Sequence, residues 1–368
     1  MKINIITIQY AHNYGAVLQA YSLKNYLINL GHEVVIVNYI PEVEQNKYGK
    51  KLKNQLGKKQ AIREFRIIEW IGNEIDIRRA QPEWEQRHLK FNDFIQEKLT
   101  REKQCFDPKD LDIDTDVFIC GSDQIWNPVI AGKNNPFYFL NFDTRAKKIS
   151  YAASMGNPKA VYSKEYITKV LSSFNAISVR EEGLKELLEN YYDIKGVFIV
   201  SDPCLLLHKD DFLKLIPEKQ MEDKPFACVY YINDSGLLND CFNNREELND
   251  ERLIEIRWVR NYRVKNQNQR VTLSVGEFLW YVLNCDVLYT DSFHGIVFSL
   301  LFHKKFFAVY NKNERIDSLL SLVGLKALHI SSLNEASKDV EIVWENVDKK
   351  IDLMRTKSQD FLLKGIEK

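Results

Sequence analysis

Apolar residues fall along this chain in two alternating rhythms. Short continuous runs at 3–8, 33–39 and 116–120 predict buried parallel strands. Between the first two, Val17, Leu18, Tyr21, Leu23, Tyr26, Leu27 and Leu30 recur at helical spacing and stop at Gly31. The pattern then changes. From 42 to 103 the chain is highly charged, and its apolar residues (Ile67, Ile68, Trp70, Ile71 and Ile75, then Phe91, Phe94, Ile95 and Leu99) keep a helical period. Strands follow at 148–153, 176–179 and 196–200, with helices at 163–174 and 181–191 between them. Ser201-Asp202-Pro203 breaks the chain, and a Lys/Asp/Pro-rich stretch at 209–225 reads as a linker. A second block has strands at 226–231, 253–258, 286–289 and 306–310 and helices at 276–284 and 295–303.

Two blocks of alternating strands and helices imply an α/β protein of two doubly wound, Rossmann-like domains facing a cleft. Their expected spans are 1–205 and 206–340. The stretch 42–103 is expected to be a helical insertion in the first, and 341–368 a helical tail, within a one- or two-helix region that starts near Lys338. The length of 368 residues agrees, since single cores stop growing at roughly 250–300 residues.

Composition removes several function classes. Lys+Arg and Asp+Glu each total 51, so the net charge is zero. That opposes a polyanion-binding surface over the whole molecule, and no nucleic-acid partner is expected, although a local basic pocket stays open. Six cysteines are scattered without a C-x-x-C pair and read as small buried hydrophobes of a reducing compartment. Met1-Lys2 runs straight into a strand carrying polar Asn4 and Thr7, and no apolar run reaches the roughly 20 residues of a membrane span. A cytoplasmic location is expected.

Chemistry-bearing residues gather where predicted strands end. Thr290-Asp291-Ser292-Phe293-His294-Gly295 brings an acid, a hydroxyl and an imidazole to a helix start, where free N–H groups favour anions. A capped helix with a core histidine is the structural alternative. Asn13-Tyr14-Gly15-Ala16 opens the first helix, and Gly15 permits close backbone approach. It is neither a dinucleotide fingerprint nor a P-loop. Gly121-Ser122-Asp123-Gln124-Ile125-Trp126-Asn127 combines a carboxylate, amides and an indole, a mixture suited to sugar hydroxyls and a ring face. Otherwise it is a polar loop with Trp126 in the core. Arg180 follows strand 176–179 and suits a phosphate or carboxylate clamp, or a pair with a neighbouring Glu. Asn311-Lys312-Asn313-Glu314-Arg315 brings Arg315 towards the same cleft, with Lys312 read as solvated. His12 and His303 are given no catalytic role. No metal-ligand spacing is present.

These segments, with Tyr151-Ala152-Ala153-Ser154 and Asp202-Pro203, occur in an order that resembles the polysaccharide pyruvyl transferase family over nearly the whole chain. One departure is Gly276, where the family often has Pro before a Glu-Phe/Trp-Leu helix. The resemblance implies a fold similar to the B-type glycosyltransferases, with the last helix crossing back to the first domain. It implies phosphoenolpyruvate as donor and a sugar with two nearby hydroxyls as acceptor. The product would be a cyclic pyruvate ketal on a surface polysaccharide or its precursor, with phosphate released. Phosphoenolpyruvate is then a co-substrate, and no cofactor or metal is expected.

In that reading Arg180, Ser292, His294, Gly295 and Arg315 bind the donor. Asn13, Tyr14, Gly15, Ser122, Asp123, Gln124, Trp126 and Asn127 bind the acceptor. His294 protonates or holds the donor, and Asp123 or Asp291 is the base. The acceptor is free, nucleotide-linked or lipid-linked, and a lipid-linked oligosaccharide would bring the protein to the inner membrane face. Two other classes stay open: a nucleotide-sugar-dependent glycosyltransferase and a noncatalytic sugar-binding relative.

Overall fold

The computed structural model describes residues 1–45, 47–49, 51–53, 58–111, 114–156, 159, 161–232, 252–262, 268–310, 312–331, 335–336 and 340–367. Asn311, Cys241, Lys338 and parts of the 42–103 insertion therefore lie outside the described residues.

Six strands, β1 (Lys2–Ile6), β2 (Glu33–Ile36), β3 (Val117–Cys120), β4 (Lys147–Ala153), β5 (Ala176–Val179) and β6 (Val197–Ile199), form the first sheet. Their order is β2-β1-β3-β4-β5-β6, and every pairing is parallel. Six more, β7 (Phe226–Tyr230), β8 (Arg252–Ile256), β9 (Gln269–Arg270), β10 (Val287–Thr290), β11 (Lys305–Val309) and β12 (His329–Ile330), form the second. It runs β12-β11-β10-β7-β8-β9, again parallel throughout. β3, β7 and β10 are buried along their full length, which is why they read as unbroken apolar runs. The molecule thus has the expected class, two doubly wound α/β sheets.

Both sheets reverse their winding direction once. In the first the reversal falls between β1 and β3, and in the second between β7 and β10. Ligands of doubly wound folds bind at the carboxyl ends of strands at such switch points. Helix α1 (Tyr14–Asn29) leaves one of them. After α2 (Lys58–Arg63) and α3 (Ile67–Phe94) of the insertion, helix α4 (Val275–Asn284) precedes β10, and α5 (Phe293–Phe302) leaves the second switch point. Helix α6 (Glu314–Val323) follows β11.

The last helix, α7 (Trp344–Glu367), lies against the first sheet. Arg355 Nε donates to Leu205 O at 2.8 Å, Ser201 N to Ser358 Oγ at 2.8 Å, and Lys147 Nζ to Ile366 O at 2.8 Å. Some local expectations shift. The 209–225 linker contains the short helix Lys209–Leu213. The helix expected at 181–191 is α-helical only to Glu186 and then widens to a π turn. The helix expected from Gly295 starts at Phe293, so His294 stands in its first turn. β9 and β12 are two residues each, too short to leave a periodic signal.

Candidate active site

The strand ends at both switch points open onto one cavity of about 290 Å3. Its wall includes Asn13 after β1, Asp123 and Gln124 after β3, Ile232 after β7, Asp291, Phe293 and His294 after β10, and Asn313 and Arg315 after β11. Lys47 and Tyr48 of the insertion complete it.

Side-chain caps aim three helices at this cavity. Asn13 accepts from Gly15 N at 2.9 Å and Ala16 N at 3.2 Å, starting α1. Ser292 accepts from Gly295 N at 3.2 Å, starting α5, and Asn313 accepts from Ile316 N at 3.4 Å, starting α6. Each cap satisfies a backbone donor that the first helical turn leaves without a partner. Thr290 ties the turn together: its hydroxyl donates to Tyr230 O and accepts from Ser292 N at 3.0 Å.

Behind the wall runs a chain of alternating charge. Arg315 Nη1 lies 4.0 Å from Asp123 Oδ1, and Asp123 Oδ1 lies 3.6 Å from Arg180 Nη2. Arg180 Nη1 donates to Asp202 Oδ2 at 2.9 Å, and that oxygen lies 3.3 Å from His294 Nε2. Arg180 Nε also donates to Glu181 Oε1 at 3.1 Å, and its guanidinium packs on the Phe293 ring at 4.7 Å. Arg180 and Asp202 are buried inside this chain, whereas Arg315, Asp123 and His294 reach the cavity. Arg180 Nη2 and His294 Nε2 are buried and make no geometrically sound hydrogen bond among the described residues.

The electrostatics follow from this order. Burial alone would raise the Asp202 carboxyl, but His294, Arg180 and the Cys204 N–H hold it well below the usual range. Burial opposes the charge on Arg180, yet Glu181, Asp202 and Asp123 outweigh it and raise the guanidinium. Arg315 moves the other way. Burial, then its like-charged neighbour Arg180, lower it. A further anionic group brought to Arg315 would offset that burial and repulsion.

Gly15 explains how the two switch points meet. A Cβ on residue 15 would lie 2.0 Å from His294 Nδ1. The close approach anticipated at Gly15 is thus made to the His294 ring of the other domain. Gly121 has φ +123, and a Cβ there would sit 2.1 Å from Tyr151 O, so glycine is needed to turn β3 into the Asp123 loop.

Other expected contacts fall elsewhere. Trp126 is fully buried, donates from Nε1 to Tyr138 O at 3.0 Å and stacks on Phe139, so it offers no face to a sugar. Tyr14 is buried against Phe278 and donates to Leu273 O at 3.1 Å. Ser122 is buried below the loop, with its N–H on Gln19 Oε1 at 3.3 Å. Asn127 caps the helix Pro128–Ala131 and donates to Gln124 Oε1 at 2.8 Å. Ser292 and Gly295 shape the turn without lining the cavity. Arg180 stands one layer back rather than on the surface of the wall.

Asp202 and Glu181 were not read as site residues. Asp202 follows β6, next to the Arg180-bearing end of β5. The strand-end rule that singled out Arg180 applies equally to Asp202. Sequence also gave no metal-ligand cluster, yet Asp202, Cys204 and His294 bring ligand atoms within 4.8 Å of one another. Arg180 already occupies Asp202 Oδ2, and burial, with Asp202 nearby, keeps the Cys204 thiol protonated. That chemistry suits an ion-pair network better than a cation.

A two-domain α/β protein with a cleft offering arginine, imidazole and carboxylate groups is the class these features define. Residues 13–313 match the model of the family described as polysaccharide pyruvyl transferase. The chain belongs to that family. No curated protein sequence matches it. Solved structures similar to it include UDP-N-acetylglucosamine 2-epimerase from Rickettsia bellii, at 11% identity and TM-score 0.49, covering 99% of this chain and 96% of that one. The UDP-GlcNAc 2-epimerase from Methanocaldococcus jannaschii has 12% identity and TM-score 0.46, with 96% and 93% covered. The glycosyltransferase SnogD from Streptomyces nogalater has 10% identity and TM-score 0.38, with 98% and 95% covered. Among the described residues, no helix is long and apolar enough to cross a membrane.

Proposed function

We propose that this protein transfers the pyruvyl group of phosphoenolpyruvate to two hydroxyls of one sugar, in a surface polysaccharide or its precursor, forming a cyclic ketal. The observation that carries this reading is the alternating charge chain, whose ends Arg315 and His294 face the same cavity with Asp123 between them. Phosphoenolpyruvate has two anionic groups, and two separated cationic or N–H donors suit it.

In the proposed reaction a proton reaches the donor's methylene carbon, making a methyl group and an oxocarbenium-like centre. One sugar hydroxyl attacks that centre and loses its proton. The C–O bond to phosphate then breaks, and the second hydroxyl closes the ring, its proton leaving with phosphate. His294, oriented by Asp202 and packed over Gly15, protonates the methylene carbon or holds the phosphate. Asp123 or Asp291 takes the hydroxyl proton. Asp291 is fixed for this by the Ile232 N–H, which donates to its Oδ1 at 2.6 Å. Asn13 and Gln124 offer polar groups to the acceptor. An acceptor that is free, nucleotide-linked or lipid-linked, and an intracellular site of action, belong to this proposal.

His294→Ala tests it. The variant is expected to stay folded and to lose phosphate release from phosphoenolpyruvate in the presence of a pyruvylatable acceptor. Release at the parent rate would remove His294 from catalysis. A UDP-sugar that raises the melting temperature, where phosphoenolpyruvate does not, would favour glycosyl transfer.

A further inference from the structure

A second cavity adjoins the candidate active site. It encloses about 700 Å3, against about 290 Å3 for the first. The end of α3, the π turn Ile95–Leu99 and the loop after β2 surround it. Tyr10, Glu44 and Tyr48 line both cavities, so a ligand in either meets the same three side chains. Ligand pockets usually enclose about 300–1,000 Å3. The active-site cavity sits at the lower edge of that range and its neighbour well inside it.

The chemistry of its wall selects the occupant. Among the described lining residues, Arg101 stands against three carboxylates, Glu44, Glu97 and Glu102. An anion such as a nucleoside diphosphate finds no excess of positive charge there. Five amide side chains line the cavity as well, among them Asn92 of α3, whose Nδ2 lies 2.8 Å from His88 Nε2. Amides offer donors and acceptors together, as a neutral ligand rich in hydroxyls requires. Rings gather where the two cavities meet. The Tyr48 centroid lies 6.0 Å from that of Tyr10 and 5.3 Å from that of His12, and Tyr48 is partly exposed. Such rings suit the apolar face of a sugar. His12 also lines the second cavity; it is 1% exposed, and its Nδ1 makes no geometrically sound hydrogen bond among the described residues. Burial keeps this imidazole neutral, so it can pair with a hydroxyl as donor or acceptor.

We infer that the second cavity holds neutral sugar units beside the reacting one, so that the acceptor is an oligosaccharide spanning both cavities past Tyr48. Naming that oligosaccharide as the acceptor rests on the pyruvyl-transfer reading; the sugar site itself does not. Binding of the full chain to a printed array of neutral and acidic oligosaccharides, beside their monosaccharides, tests it. Neutral oligosaccharides should bind at least about tenfold more tightly than their monosaccharides or than acidic glycans. Asn92→Leu and Gln96→Leu each remove an amide that lines the second cavity and not the first, and Gln96 is exposed, so its replacement leaves the core untouched. The two changes together should weaken oligosaccharide binding about tenfold. Melting temperature and phosphoenolpyruvate titration, read on the same proteins, should stay at the parent values. The inference is overturned if the parent binds no neutral oligosaccharide, binds monosaccharides as tightly, or prefers acidic glycans. It is overturned too if both variants bind as the parent does. Oligosaccharide binding that the variants weaken, in a parent that ignores phosphoenolpyruvate, would support the sugar site and sink the donor reading, so the two failures are told apart.

Discussion

Two buried arginines in this protein are held in opposite ways. Arg180 is surrounded by carboxylates, with Asp202 at 2.9 Å, Glu181 at 3.1 Å and Asp123 at 3.6 Å. Arg87, fully buried on α3, instead donates to neutral oxygens: Tyr14 Oη at 2.8 Å, His12 O at 3.0 Å and Val271 O at 3.4 Å. The faces of Tyr14, Phe91 and Trp258 lie within 4.6–5.6 Å of its guanidinium. Arg180 is one link in a charge relay that emerges at the cavity. Arg87 is a staple that fixes the insertion to both sheets, helped by the Glu83–Arg260 and Lys90–Glu277 ion pairs. Burial of a cation is therefore not a mark of a binding site here; the partners decide.

Arg180→Met should break this contrast most severely. It strands Asp202 and Glu181 as buried carboxylates, and removing one partner of a buried pair costs about 3–5 kcal/mol. Chemical denaturation should report that loss, together with abolished phosphate release. A cost below about 1 kcal/mol would mean that the carboxylates are hydrated and the chain is not a relay.

The second test sets the two environments against pH. Burial, then His88 and Arg87, push the His12 imidazole down to about 3. The unfolded chain takes up this proton near pH 6.5, whereas the folded one resists until about 3. Stability from this group is thus complete above pH 6.5 and falls by about 1.4 kcal/mol per pH unit as the pH drops through that window. Asp202, held low by its partners, begins to cost stability only below about pH 4, the ordinary range of Asp. His12→Phe should flatten the dependence between pH 6 and 4. An unchanged slope would show that His12 protonates freely in the folded protein.

Arg87→Met should have the mildest effect on stability. It removes three hydrogen bonds without stranding a carboxylate at the site, a loss of about 1–3 kcal/mol. Its affinity for phosphoenolpyruvate, measured by titration calorimetry, should stay close to that of the parent. A collapse of that affinity would move Arg87 from the scaffold into the binding site.

The sequence made the fold legible because β3, β7 and β10 are buried on both faces and so appear as unbroken apolar runs. The strand-end rule located Asp123, His294 and Arg315, all of which line the cavity. It could not say how deep each residue sits. Trp126 and Tyr14 share motifs with site residues but point into the core, because one residue along a turn reverses a side chain's direction. Asp202 also stands at a strand end, but its partnership with Arg180 comes from β5 and β6 being neighbours, a pairing the linear chain does not display. The Gly15–His294 contact joins residues of different domains and is invisible until both sheets are in place.

The most direct test of the central claim is titration of phosphoenolpyruvate into the parent protein and into Arg315→Gln. Arg315 is the cation of the relay that reaches the cavity, so its loss should remove a charge-assisted hydrogen bond of about 1.5–3 kcal/mol, roughly ten- to hundredfold in affinity. The account predicts saturable binding to the parent and that weakening in the variant. Equal affinities, or a parent protein that ignores phosphoenolpyruvate and takes up a UDP-sugar, would contradict it.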